Sequence, residues 1–436
     1  MSGTEYLVLD TDQQAKIASY ENKIGHKIIS FPHVSAYLRS SNQAKQFKKY
    51  IKTYCYSQNI RGMTFPIDRA DLHTEFDDDF KRTMLVMFEP LPEIFYQGTY
   101  KKEIYQRYKK IEGLPPEVLK LLDEPNKTQN WGKKSKEYKE ELNLIIGDVG
   151  IRTKLIEAIV NHNLKNDADI IIPFAPLIKD QTSFFLSTVM YDQTKRMFLG
   201  GLTNVEEVLG KRLALYLCIH KSALGNNKLI LEITRYVTEN PHQAIVMKIL
   251  LTDDKSIKEL SYVQTNNLLK LIKCIGLYSK LNRVPSHLLC TNTLGLIGIA
   301  NGIDSFSQPM TEKEREIEVA FGKEARQILS ENNPKYIYGK IYCYEARQFI
   351  PYSNYVDFVE ANEFELPSPA REYSGTIEPN RIKDMAKLEF YEHARMTLLE
   401  SRNYEIDELM KAISNKEIRG YKSRFKSYFN NVLLPQ

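Results

Sequence analysis

Four short stretches hold residues able to do chemistry. In AIVMKILL a lysine, Lys248, interrupts an apolar run. Burial disfavours the charged form of a lysine, and the neutral amine that results attacks carbonyl carbon, as in Schiff-base enzymes of the aldolase type. Lys248 also reads as the partner of an interior carboxylate, or as a side chain snorkelling between outer helices. ILLTDDKS places Asp253 and Asp254 after an apolar strand, where burial turns a carboxylate into a nucleophile or general base. Capping of the next helix is the alternative. FPIDRADLH offers Asp68 and Asp71 on the same terms, as catalytic groups or as a cap and a surface charge. CIHKSAL gathers His220, Lys221 and Ser222. The GxSxG elbow of a serine hydrolase is absent, so His220 is an acid–base candidate or a wall residue. Asp68, Asp253 and His220 are the catalytic candidates.

Two further stretches offer binding rather than reaction. HLLCTNTLGLIGIANGIDSFSQPM, from His287 to Met310, carries Asn292, Ser307 and Gln308 at positions that read as strand ends. Neutral polar groups of this kind suit hydrogen bonds to a base or a sugar. KEIRGYKSRFKSYF interleaves Arg419, Lys422, Arg424 and Lys426 with Tyr421, Phe425, Tyr428 and Phe429. Basic and aromatic residues together grip phosphates and stack bases. The same spacing also describes an amphipathic helix with buried aromatics and solvated lysines.

The totals exclude several classes. The sequence has 436 residues, net charge +5, 42% hydrophobic and 26% charged residues, which is ordinary for a globular protein. Mild basicity is compatible with a tRNA or DNA partner without requiring one. No run reaches the roughly 18 apolar residues of a membrane span, and MSGTEYLVLDTDQQ lacks the layout of a signal peptide, so no membrane partner and a cytoplasmic location are expected. Five cysteines show no CxxC spacing, and eight histidines form no HxH or HExxH pair. Neither a disulfide framework nor a metal site has support, and no cofactor is called for.

These residues need elements to position them. DIIIPFAPLI, LALYLCIH, AIVMKILL, HLLCTNT and IDSFSQP read as short strands separated by segments of helical period. Strand, helix, strand without hairpin signals predicts parallel strands with crossover helices. With KIISFPHV, RGMTFPIDRADLH and TMLVMFEPLPEI as earlier strands, the expected fold is an α/β (β/α)8 barrel of TIM type with a helical C-terminal extension. A doubly wound sheet is second, since the Gly-rich first loop is missing. The barrel would span residues 1–355, with a charged, solvated helical insertion near 100–145 and KYIYGKIYCYEARQF closing it. A helical region would occupy 356–436. In such a barrel His33, Asp68, Glu89, His220, Asp253, Asn292, Ser307 and Gln308 would stand at the mouth.

From about Gly150 to Met310 the segments resemble the tRNA-guanine transglycosylases. KLIEAIVNHNLKNDADIIIPFAP resembles that family's helix followed by a buried strand, LALYLCIHKSALGNNKLILEITRYV its strand, turn and long helix, and VPSHLLCTNTLGLIGIANGIDSFSQPM its last strand–helix–strand. The resemblance covers about a third of the chain. It implies base exchange in tRNA or DNA through a glycosyl-enzyme intermediate. The family's aspartate nucleophile falls on Ser307, and its base-recognising aspartate falls on Ala175. Asp304 matches an acidic position that is not the nucleophile. The Asp-Ser-Gly-Gly stretch and the zinc cysteines are missing, so the chemistry would have moved to other strand ends, such as Asp68 or Asp253, or been lost. Serine cannot both attack the anomeric carbon and leave as a carboxylate does. The expectation is therefore a divergent transglycosylase-like protein acting on bases in tRNA or DNA. The alternatives are a non-catalytic barrel that binds nucleic acid or a partner, and a small-molecule Schiff-base enzyme using Lys248.

Overall fold

Two apolar runs set the architecture. In RLALYLCIH (β6, Arg212–His220) all but the end residues are buried, and in AIVMKIL (β7, Ala244–Leu250) every residue is. Strands of a parallel sheet covered on both faces read this way. They pair in parallel from Ala214↔Ala244 to His220↔Leu250. The structure is a computed structural model. It describes residues 4–9, 33–34, 62–75, 78, 81, 85–96, 102–123, 136–200, 210–250, 261–289, 298, 301–309, 340–343 and 348–351.

The remaining strands of the main sheet are β1 (Thr4–Leu9), β2 (His33–Val34), β3 (Gly62–Pro66), β4 (Leu85–Glu89), β5 (Ile170–Ile171), β8 (Ser286–Leu289) and β9 (Ser305–Pro309). All pairings among them are parallel and follow chain order. Seven strands form a parallel sheet that is curled through 248° and open, with edges 11 Å apart. β1 pairs with β9 from Thr4↔Ser305 to Val8↔Pro309, while β2 meets β3 at the single pair His33↔Thr64. Strand order thus gives nine rather than eight.

The expected closed eight-stranded TIM barrel is therefore incorrect. Closure at eight requires strands of matched length and a fixed stagger, whereas β2 and β5 have two residues each beside nine in β6. The segment expected to close the barrel forms something else. β10 (Lys340–Cys343) and β11 (Gln348–Pro351) pair antiparallel with each other as a separate two-stranded sheet.

Helices cover the convex face: α1 (Glu93–Tyr96), α2 (Lys102–Tyr108), α3 (Pro116–Asp123), α4 (Lys136–Gly147), α5 (Val149–Lys165), α6 (Gln181–Leu199), α7 (Asn227–Glu239) and α8 (Tyr262–Asn282). A polar residue fixes each long helix start by accepting from the first turn. Asp148 accepts from Ile151 N–H, Asn226 from Lys228 and Leu229, and Asp180 and Ser261 form capping boxes with Ser183 and Gln264. Segment 100–145 is not wholly solvated. Tyr105, Tyr108, Val118, Leu121, Leu142 and Ile145 pack into the main core, while Glu112, Glu117 and Asp123 are exposed.

Strand alternation divides the interior in two. Leu213, Leu215, Leu217 and Ile219 of β6 join the core shared with the helices. Ala214, Tyr216 and Cys218 join Met87, Ile172, Val246 and Leu289 in a second cluster on the concave face. Lys248 follows Val246 by two residues, so strand period alone turns it inward. Among the described residues no helix is long and apolar enough to cross a membrane.

Candidate functional site

The concave face carries one buried charged centre. Lys248 Nζ donates to Glu89 Oε1 and, at 2.6 Å, to Glu93 Oε1. Tyr216 OH also donates to Glu89 Oε1, at 3.3 Å. Lys248 and Glu89 are 1% exposed and Glu93 is 0% exposed, so water screens none of these contacts.

Local folding explains how two carboxylates meet one ammonium. β4 ends at Glu89, and Pro90-Leu91-Pro92 stops the strand, since proline has no N–H to continue the ladder. Leu91 takes a left-handed φ of 50°, which costs a non-glycine residue on the order of 1 kcal/mol. Ile94 N–H then donates to Leu91 O and Phe95 N–H to Pro92 O. This turn brings Glu93 back beside the end of its own strand. Lys248 arrives from β7, three strands along the curl, and spans the concave side. Curling lets the two strands face each other.

Burial, with the neighbouring Glu89 charge, pushes the Glu93 carboxyl above its ordinary range, against the pull of Lys248. Burial likewise raises the Tyr216 hydroxyl and the Cys218 thiol well above their usual values. Both stay protonated, and Cys218 is a free, inert thiol here. The groups whose proton can move are the lysine and the two carboxyls. An amine between two carboxyls is the equipment for proton transfer to and from a reacting group.

The other sequence candidates are dispersed. Asp68 lies in the 3-10 helix Ile67–Glu75 that follows β3, with its side chain wholly buried. Arg107 of α2 grips its Oδ2 through Nε and Nη2, both at 2.8 Å. Burial raises Asp68 to about 6, although Arg107 opposes the shift. Asp71 is exposed and pairs with Arg69 at 3.6 Å. His220 stands half-buried at the end of β6, where its Nδ1 is 2.8 Å from Ser222 Oγ and accepts the Ser222 N–H. The backbones of Ser307 and Gln308 lie in β9, opposite Tyr6 and Leu7 of β1. Ala175 belongs to the concave apolar cluster. Asp304 is structural: its Oδ2 accepts from Ser279 Oγ and Ser286 N–H, both at 2.9 Å, tying α8 to β8. Asp253, Asp254, Asn292, Arg419, Lys422, Arg424 and Lys426 lie outside the described residues.

No family model and no curated protein matches the chain. Nothing therefore joins it to the transglycosylases beyond the order of its segments. The description as a TIM barrel falls with the closed barrel, and no match ties the chain to the modification of tRNA or DNA bases.

Sequence reasoning singled out Lys248 and Glu89 separately but missed Glu93 and Tyr216. One signal for Glu93 was present: a second carboxylate four residues after Glu89, across a double-proline turn. Tyr216 and Cys218 share the inward register of β6, which strand alternation alone reveals. Among the described residues, no group of three or more His, Cys, Asp or Glu side chains is arranged to hold a metal ion.

Proposed function

We propose that the concave face is an acid–base centre for a small carbonyl compound, with Lys248 as the amine that forms a Schiff base. The observation that carries this reading is the contact of Lys248 Nζ with Glu89 and Glu93 on the inward face of β7. Two carboxyls beside one amine supply a base to take the ammonium proton and an acid to protonate a carbonyl oxygen. The apolar neighbours Cys218, Leu289 and Val246 suit the low-dielectric wall of a small-molecule site. Treating the protein with borohydride in the presence of a panel of aldehydes, ketones and keto acids, then weighing the intact chain, tests it. An adduct of one substrate mass less one oxygen is expected with wild type and not with Lys248→Arg, which keeps the charge and loses the reactive amine.

One observation favours a second reading. Lys248, Glu89 and Glu93 are each at most 1% exposed, as in a polar cluster whose only task is to hold β4 against β7. Absence of any adduct across the panel favours that structural role.

A further inference from the structure

We infer that Glu93 is a neutral carboxylic acid in the resting protein and is the catalytic acid that protonates the carbonyl oxygen of the substrate; this rests on the Schiff-base reading for its second half only. Like charge comes first. Two carboxyls share one ammonium in a place where none of the three groups is more than 1% exposed. Like charges so close and so buried favour a proton on one of the carboxyls.

Geometry selects which carboxyl holds the proton. Glu89 Oε1 accepts from both Lys248 Nζ and Tyr216 OH, as a carboxylate does. Among the described residues, Glu93 accepts a side-chain hydrogen bond at Oε1 from Lys248, and its Oε2 is buried with no side-chain partner. A bare carboxylate oxygen in the interior is among the most costly arrangements a protein can hold, and a protonated one is far cheaper. Desolvation and the nearby Glu89 charge act in the same direction. The O–H at Oε2 then lacks an acceptor in the resting protein. A carbonyl oxygen is an acceptor. The carboxyl that bonds Lys248 Nζ at 2.6 Å therefore holds its free hydroxyl within reach of a carbonyl group whose carbon is attacked by that nitrogen.

The steps balance without an outside reagent. Lys248 gives one proton to Glu89 and attacks the carbonyl carbon. The C=O π pair moves to oxygen, which takes the Glu93 proton. The new nitrogen centre returns a proton to Glu93, and the hydroxyl takes it as the C–O bond breaks. Water leaves and the nitrogen lone pair completes the iminium, with Glu89 protonated and Glu93 ionised.

The test reads the resting protein by infrared difference spectroscopy near pH 8, above the value of about 6 at Asp68. Wild type is expected to show a carboxylic-acid C=O stretch that Glu93→Gln removes. Glu93→Gln replaces one neutral group by another of the same shape, so folding is retained and circular dichroism checks it. No acid band in wild type, or a band indifferent to Glu93→Gln, overturns the assignment of the proton. Borohydride trapping reads the second half. Glu93→Gln should slow adduct formation at saturating carbonyl by about 10²-fold or more, the usual contribution of a general acid, and abolish the acid limb of its pH profile. An unchanged trapping rate and profile overturn the catalytic role. An acid band without any adduct in wild type refutes Lys248 as nucleophile while leaving the proton on Glu93.

Discussion

Replacing Lys248 by methionine should destabilise the protein through charge. Methionine fills nearly the same volume, so packing changes little and the effect is electrostatic. Glu89, 1% exposed, loses the ammonium that donates to it. Removing one side of a buried ion pair costs ~3–5 kcal/mol. Chemical denaturation near neutral pH, followed by two probes whose transitions coincide, measures the loss. Adding Glu89→Gln to Lys248→Met should restore most of it, since the carboxylate left behind is then gone. A loss below ~0.5 kcal/mol, or no recovery in the double variant, refutes the buried-charge reasoning.

Other parts of the fold yield further expectations. Burial holds His73 and His242 at about 4, below the ordinary 6.5. The unfolded chain therefore binds their protons first, and the stability they contribute above 6.5 is lost as pH falls towards 4. His242 packs against Tyr191, Tyr236 and Tyr278 with ring centroids 5.5–5.9 Å apart, so His242→Gln should flatten that acid limb in thermal unfolding. Asp68 acts in the opposite sense. Its folded value of about 6 lies above 3.8, so the folded protein binds its proton first and gains relative stability as pH falls through that window; Asp68→Asn should steepen the acid loss. In α8, a Cβ at Gly276 would stand 2.1 Å from Asn301 O, so Gly276→Ala should cost about 1–3 kcal/mol in the same unfolding assay.

Much of the architecture was legible because its signals are local. Continuous apolar runs gave β6 and β7, and segments of helical period between the strands gave helices in the places of α6, α7 and α8. Closure was not legible, because it depends on strand lengths and stagger around the whole sheet, and β5 shows as two residues inside the longer apolar run DIIIPFAPLI. Composition also misled in segment 100–145, where lysines and glutamates outnumber the buried Tyr105, Tyr108 and Leu121 that decide its packing. The candidate site was half legible. A lysine inside an apolar strand is conspicuous, and its reading as the partner of an interior carboxylate matches the contact with Glu89. That Glu93 joins it depends on a left-handed Leu91 and a turn between two prolines, which no periodicity reports. Asp68 drew notice as a strand-end carboxylate, yet Arg107, 39 residues on, determines its environment.

The central claim is that Lys248, held between Glu89 and Glu93, is a reactive amine. Peptide mapping of the borohydride-reduced protein tests it most directly. The account predicts a carbonyl adduct on the peptide that carries Lys248, absent without borohydride and lost in Lys248→Arg. Adducts confined to exposed lysines such as Lys120 and Lys165, with Lys248 unmodified across the panel, would contradict it.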